Sequence, residues 1–165
     1  MTIRQAMEEF LEGTKWIEEI ESDEESGENS LLTRLNVTNQ VFDLGILGNE
    51  KQDRIILLLT PPFRAIEGKH AELCQLFNYL NEIYLFTGRL SVSKDGRIRY
   101  KAILDTDGLN PSHEMIRNLL NSAVAIFEHH TEQIAALAMT KKTYIETLAE
   151  YEKKEALREA RNSME

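Results

Sequence analysis

The sequence has 165 residues, 42% of them hydrophobic and 28% charged, and a net charge of −9. That is enough chain for one domain with a real core plus an appendage, and the acidity argues against general nucleic-acid binding, which depends on neutralising phosphates. No apolar run approaches the length needed to span a bilayer, and the single Cys74 excludes an intramolecular disulfide framework. The N-terminus is acidic and amphipathic, unlike a secretory signal, so the expectation is a cytoplasmic protein with no membrane or nucleic-acid partner.

Thr2-Ile3-Arg4-Gln5 fits a capping box, with Thr2 as N-cap and Gln5 reaching back. Ile3, Met7, Phe10 and Leu11 then share a helical face, and Gly13 is expected to end the helix. Trp16, Ile17 and Ile20 suggest a short edge strand. Between Glu18 and Glu28 stand seven acids and no base, a composition that reads as a solvated, self-repelling loop and does not fit calcium-loop spacing. Leu31 to Leu47 holds a hairpin. With Asn39-Gln40 as a two-residue turn, Leu35 and Val37 share a face with Phe42, Leu44 and Ile46. A polar loop follows from Gly48 to Asp53. Arg54 to Leu59 is apolar on both faces and predicts a central strand, ended by Pro61-Pro62.

The spacing predicts a second helix from about Glu67 to Ile83, with Leu73, Leu76, Phe77, Leu80 and Ile83 as its apolar stripe. Gly88 opens a second hairpin. Leu90 and Val92 alternate with polar neighbours, as do Ile98, Tyr100, Ala102 and Leu104. A three-residue loop, Lys94-Asp95-Gly96, pairs Val92 with Ile98 and Leu90 with Tyr100, which separates the faces and requires Gly96 at positive φ. Asn110 is a good N-cap and Pro111 suits the first position of a third helix, which carries Met115, Ile116, Leu119, Ala123, Ile126 and Phe127 inward. The pattern continues through Ile134, Leu137, Tyr144, Leu148 and Tyr151 into a charged tail. One helix to about residue 160 would be ~75 Å long, so either a break near His129–Glu132 or a projecting tail is expected.

Few groups are placed for chemistry. His70 and Cys74 share a helical face. A thiolate–imidazole pair is one reading. A small buried Cys beside Leu73 and Phe77, with His70 at the helix start, is the simpler one. Asp105-Thr106-Asp107-Gly108 has part of a calcium-loop pattern, but Ile103 would occupy the first ligand position, and a capping role explains the segment better. His129 and His130 diverge on a helix, and His113 has no evident partner. No phosphate-binding glycine loop, nucleophile elbow or paired-Cys zinc spacing occurs, so no catalytic residue, metal or cofactor is expected. The one local basic patch is on the hairpin: Arg89, Lys94, Arg97, Arg99 and Lys101, with Arg97, Arg99 and Lys101 on the face opposite Ile98 and Tyr100. It reads as a solvated face or as a surface for an acidic partner segment, including the acidic stretch of the same chain or of a second copy. In the tail, Glu150 and Lys154 are spaced for an i,i+4 pair. Tyr144, Leu148 and Tyr151 belong to either a solvated helix or a dimer or docking contact.

The order helix, strands, helix, hairpin, long helix resembles the YbjN family, whose fold is that of type III secretion chaperones. The residues that carry the resemblance are Leu80-Asn81 leading into Gly88-Arg89-Leu90, then Asp95-Gly96-Arg97-Ile98-Arg99-Tyr100. Asp107-Gly108-Leu109-Asn110-Pro111 and Ile116-Arg117-Asn118-Leu119-Leu120 follow. The likeness covers about residues 1–138, leaving 139–165 as a charged helical C-terminal extension. It implies an α+β fold in the order α-β-β-β-α-β-β-α, with an antiparallel sheet of about five strands packed against helices. Members look like secretion chaperones, which bind extended client polypeptides and commonly dimerise, and some are labelled sensory-transduction regulators. The expected function is therefore a non-enzymatic protein-binding module, a homodimeric chaperone-like adaptor or regulator with a polypeptide client. A small-molecule-sensing regulatory domain is the alternative. The candidate partner surface comprises Arg89, Arg97, Arg99, Lys101, Tyr144, Leu148 and Tyr151.

Overall fold

The structure, a computed structural model, describes residues 1–84 and 87–162. The end of the charged tail, 163–165, lies outside the described residues. The elements are α1 (Ile3–Thr14), β1 (Glu21–Asp23), β2 (Glu28–Val37), β3 (Gln40–Asn49), β4 (Arg54–Thr60), α2 (His70–Ile83), β5 (Gly88–Val92), β6 (Ile98–Asp105), α3 (His113–Met139) and α4 (Tyr144–Asn162). The strands form one antiparallel sheet in the order β1-β2-β3-β4-β6-β5. The fold class is the expected α+β, with a sixth strand drawn from the acidic stretch.

Alternation along the strands decides the layers. Leu31, Phe42, Leu44, Ile46, Ile55, Leu57, Leu59, Leu90, Tyr100 and Ala102 are buried on one face, under the helices. Phe42 meets Phe127 of α3 edge-on, with centroids 4.9 Å apart, a contact worth about 1 kcal/mol beyond its area. Gly48 of β3 lets α1 approach: a Cβ there would lie 2.4 Å from Ile3 Cγ2.

The capping box forms as expected. Gln5 N donates to Thr2 Oγ1 at 3.1 Å, and Thr2 N donates to Gln5 Oε1 at 2.9 Å. Gly13 does not stop α1. The helix runs on to Thr14, and Lys15 takes the left-handed position at φ 59°. Gly13 instead faces α3, where Arg117 Nη2 would stand 3.0 Å from an added Cβ. Trp16, Ile17 and Ile20 form no strand. Trp16 packs edge-on against Phe10, while Ile17 is exposed. The acidic stretch is an ordered hairpin rather than a loop. Asp23 accepts from Glu25 N at 2.9 Å and from Ser26 Oγ at 2.9 Å, and Gly27 turns the chain at φ 75°.

The β2–β3 turn is Thr38-Asn39, both at positive φ, so Leu35 pairs with Phe42 and Val37 with Gln40. The register differs by two residues from the one Asn39-Gln40 would give. A shift of two preserves the faces. Thr38 is the residue whose left-handed backbone the composition does not announce. α2 begins at His70, past Gly68 at φ 85°, and Ile83 is exposed rather than part of its buried stripe. α3 is preceded by Ser112, not Asn110, which instead accepts from the Met1 ammonium at 2.7 Å.

The long helix neither breaks near His129–Glu132 nor sends out a tail. α3 continues to Met139, and the chain reverses so that α4 packs against α2 and α3. Thr143 and Glu146 form a second capping box: Glu146 N donates to Thr143 Oγ1 at 3.3 Å and Thr143 N donates to Glu146 Oε2 at 2.7 Å.

The β5–β6 hairpin matches its expected form. Val92 pairs with Ile98 and Leu90 with Tyr100, Ser93 N donates to Arg97 O at 2.9 Å, and Gly96 sits at φ 79°. A Cβ on Gly96 would also stand 2.6 Å from Ala65 O. Gly96→Ala is therefore expected to cost about 2 kcal/mol, the left-handed penalty plus a backbone clash. Urea unfolding checks this, and an unchanged midpoint would contradict the account.

Candidate protein-interaction surface

The face of the sheet away from the helices is built from the other half of each alternation. Cross-strand pairing sets its rows. Ser30, Leu47, Ile56 and Ile103 make one row, and Leu32, Gly45, Leu58 and Lys101 the next. On one side of these lies Glu28-Asn49-Arg54-Asp105, and on the other side lies the Asp43-Thr60 pair. Leu32 is 68% exposed and Ile103 52%, with Leu47, Ile56 and Leu58 half-buried between them. An apolar band thus crosses β2, β3, β4 and β6, with no helix of the described residues over it. Gly45 leaves a dip at its centre, beside Leu32 and Leu58. A hollow of about 870 Å³ lies over this part, lined by Leu32, Gly45, Leu58, Phe63, Arg64 and Arg99 among others. A second, of about 400 Å³, lies between Glu21, Glu28, Leu47, Arg54 and Ile56.

This band was not part of the sequence expectation. Its signal was present in Arg54–Leu59, apolar on both faces, and in Leu32 and Ile103, which interrupt the polar side of their strands.

An acidic and a basic cluster flank the band, with Arg54 and the Arg34–Asp43 ion pair also on this face. Glu21 pairs with Ser30 and Asp23 with Glu28, which puts Glu21, Asp23 and Glu28 at one corner of the outer face. Arg89 and Lys101 are cross-strand partners at the opposite corner, beside the Ser91–Arg99 pair. Like charges placed opposite each other repel. Arg97 lies 4.0 Å from Asp95, which also faces Arg64 at 3.7 Å. Lys101, Arg99, Glu21 and Glu28 make no side-chain ion pair among the described residues.

Tyr144, Leu148 and Tyr151 lie elsewhere, on α4. Tyr144 and Leu148 are half-buried and Tyr151 is buried. Tyr151 stacks edge-on against Tyr79, lies 5.4 Å from His130 between centroids, and hydrogen-bonds Tyr84 hydroxyl to hydroxyl. A polar latch holds the start of α4. Lys69, buried at the head of α2, donates to Glu72 at 2.7 Å and to Lys142 O at 2.6 Å, while Glu72 accepts from Tyr144 N at 2.8 Å. The Lys69 ammonium and the Tyr144 N–H hold the Glu72 carboxyl below its usual range. The expected Glu150–Lys154 pair does not form. Glu150 meets Lys142, and Lys154 reaches Glu132 of α3 at 3.0 Å.

Of the groups weighed for chemistry, His70 and Cys74 meet and the others stay apart. Cys74 is exposed, not buried beside the α2 stripe, and its Sγ lies 3.7 Å from His70 Nδ1, also exposed. Asp105 Oδ1 accepts from Asp107 N at 3.0 Å in a tight turn. His113 does have partners: Glu9 of α1 at 3.2 Å and Glu114 at 2.9 Å. Among the described residues no three His, Cys, Asp or Glu side chains are placed to hold a metal, and no helix is long and apolar enough to cross a membrane.

The model of the YbjN family, described as "Putative bacterial sensory transduction regulator", matches residues 4–136. The chain belongs to the YbjN family. The match ends before α4, so Lys142, Tyr144 and Tyr151 lie outside the matched residues, while their partners Lys69, Glu72, Tyr79, Tyr84 and His130 lie within them. No curated protein matches. Among solved structures, a chain of the HopA1–SchA chaperone–effector complex aligns at TM-score 0.53 and 11% identity, over 78% of this chain and 92% of that one. A chain of the ExsC–ExsE complex aligns at TM-score 0.53 and 18% identity, over 80% and 96%. The Yersinia pestis type III secretion chaperone SycH, in complex with a fragment of YscM2, aligns at 0.48 and 17%, over 74% and 93%. On the two alignments at TM-score 0.53, this YbjN chain has a type III secretion chaperone-like fold.

One buried group in the YbjN chain has a pH consequence. His130 is buried, neither ring nitrogen has a hydrogen-bond partner among the described residues, and burial with cationic neighbours holds its pKa down to about 4. Between pH 6.5 and 4 the unfolded chain binds the proton and the folded chain does not. Stability is therefore full above pH 6.5 and declines as pH falls, by up to about 3 kcal/mol. Urea unfolding at pH 7, 5 and 4 should show wild type losing more stability than His130→Phe. Equal acid slopes would contradict the buried neutral ring.

Proposed function

We propose that this YbjN-family chain is a non-enzymatic protein-binding module, a chaperone-like adaptor or regulator, whose binding face is the outer face of the sheet. Its partner is a polypeptide, from another protein or from a second copy. The observation that carries the reading is the apolar band of Leu32, Leu47, Leu58, Ile56 and Ile103. A sheet normally pairs an apolar face with a packed layer and a polar face with water, and an exposed apolar patch rimmed by charge is the mark of a protein interface. The likeness to chains in a chaperone–effector complex supports a polypeptide partner. Apart from the exposed His70–Cys74 contact, the candidate chemical groups do not converge on one site, which supports the non-enzymatic part.

Leu32→Asp combined with Ile103→Asp tests it. Both side chains are exposed, so the cost in stability is within about 0.5 kcal/mol each. The tagged full chain is expected to retain a stoichiometric polypeptide from extracts of its native cells, and the double variant to lose it. Equal capture by both would overturn the assignment of the face.

A further inference from the structure

We infer that α4 is a releasable arm, which acid detaches from α2 and α3 while the sheet and the other helices stay folded, with His130 beneath it as the group that takes the proton. The attachment is slight for the length of the helix. Of its 19 residues only Thr147 and Tyr151 are buried, and Ile145 and Leu157 are exposed. The hydrophobic core closes without it: no buried residue of α4 belongs to that cluster, and half-buried Tyr144 packs against its margin. An element with few buried apolar contacts opens at a lower free energy than the core it rests on.

Under α4 lies a group that water stabilises. His130 of α3 is buried, and neither Nδ1 nor Nε2 has a hydrogen-bond partner among the described residues. Buried polar atoms left unpaired are costly, so closing α4 over the ring works against itself. The rings that meet it from the other helices are phenols: Tyr84, just past α2, with centroids 4.9 Å apart, and Tyr151 of α4 at 5.4 Å. Lys154 and Arg158 of α4 and His129 of α3 disfavour a further positive charge there. The carboxylates on that side accompany the cations rather than the ring. Glu132 meets Lys154 at 3.0 Å, Glu155 meets Arg158 at 3.3 Å, and Glu128 lines the same hollow as Lys154 and Arg158.

Lifting Tyr151, Lys154 and Arg158 away opens the ring to water and removes two of the cations, so the proton enters with the opening. His130 is held at about 4 in the closed form and returns towards 6.5 in the open one. The open form binds the proton and the closed form does not, so opening is favoured as pH falls below 6.5, by about 30-fold between pH 8 and pH 5. Glu72, held below its usual range, keeps its charge through this window, so the latch at the start of α4 does not supply the response.

Amide exchange of the purified full chain tests this, read by mass spectrometry and corrected for the intrinsic rate at each pH. Peptides of α4 are expected to be less protected than those of β3 and β4 at every pH, and to lose about 30-fold of their protection from pH 8 to pH 5. About 1 M urea should speed exchange in β3 and β4 and leave α4 unchanged, because its opening exposes little surface. His130→Phe keeps a ring under Tyr151 and removes the proton site, so its α4 protection is expected to be flat with pH. His130→Leu gives the same reading where circular dichroism shows the phenylalanine variant unfolded. His129→Gln is expected to retain the fall. Protection of α4 that ignores pH would overturn the inference, as would a fall that the folded His130 variant keeps or that His129→Gln abolishes. So would α4 exchanging at the level of β3 and β4 with the same response to urea, since the helix would then open only with the whole chain.

Discussion

Strand β4 carries apolar side chains on both of its faces, and the helices cover one. Ile55, Leu57 and Leu59 point into the core, where α3 closes over them; Ile56 and Leu58 point the other way. The position of β4 between β3 and β6 makes both consequences central. On the covered side it anchors the layer in which Phe42 meets Phe127 and Gly48 admits Ile3. On the other side it lies at the middle of the band from Leu32 to Ile103. A strand apolar on both sides needs two layers, so the second has to come from outside this chain or the area stays in water at a free-energy cost.

Polar groups, rather than apolar area, decide where the C-terminal helix goes. Buried Lys69 is satisfied by Glu72 and Lys142 O, and Glu72 also caps Tyr144 N. Buried charge is tolerated when it is paired and hydrogen-bonded. Once the turn at 140–143 is held, α4 lies over α2 and α3, with Tyr151 against Tyr79, Tyr84 and His130. Tyr151 of α4 is thereby spent inside the chain, while Ile145 and Leu157 of the same helix stay exposed.

The basic hairpin was legible because alternation alone puts Arg97, Arg99 and Lys101 opposite Tyr100. The acidic stretch was legible as composition. Their relation was not. The crossover that inserts β6 between β4 and β5 sends the basic pair Arg89–Lys101 to one edge of the sheet, while β1 takes the acids to the other. The apolar band is assembled from strands as far apart in sequence as Leu32 and Ile103, so no window of sequence contains it.

The sequence by itself determined the local geometry: the Thr2–Gln5 capping box, the three-residue loop with Gly96 left-handed, the inward faces of the strands, and a family resemblance good enough for the fold. These depend on contacts between near neighbours, where spacing implies distance. Tertiary structure alone decided the two-residue register at Thr38-Asn39, the ordering of the acidic stretch as β1, the return of α4 and the placing of Cys74 on the surface. Each of those turns on which distant segment meets which. The free energy that settles it comes from packing and from buried polar pairing across the whole chain, and neither is expressed in periodicity.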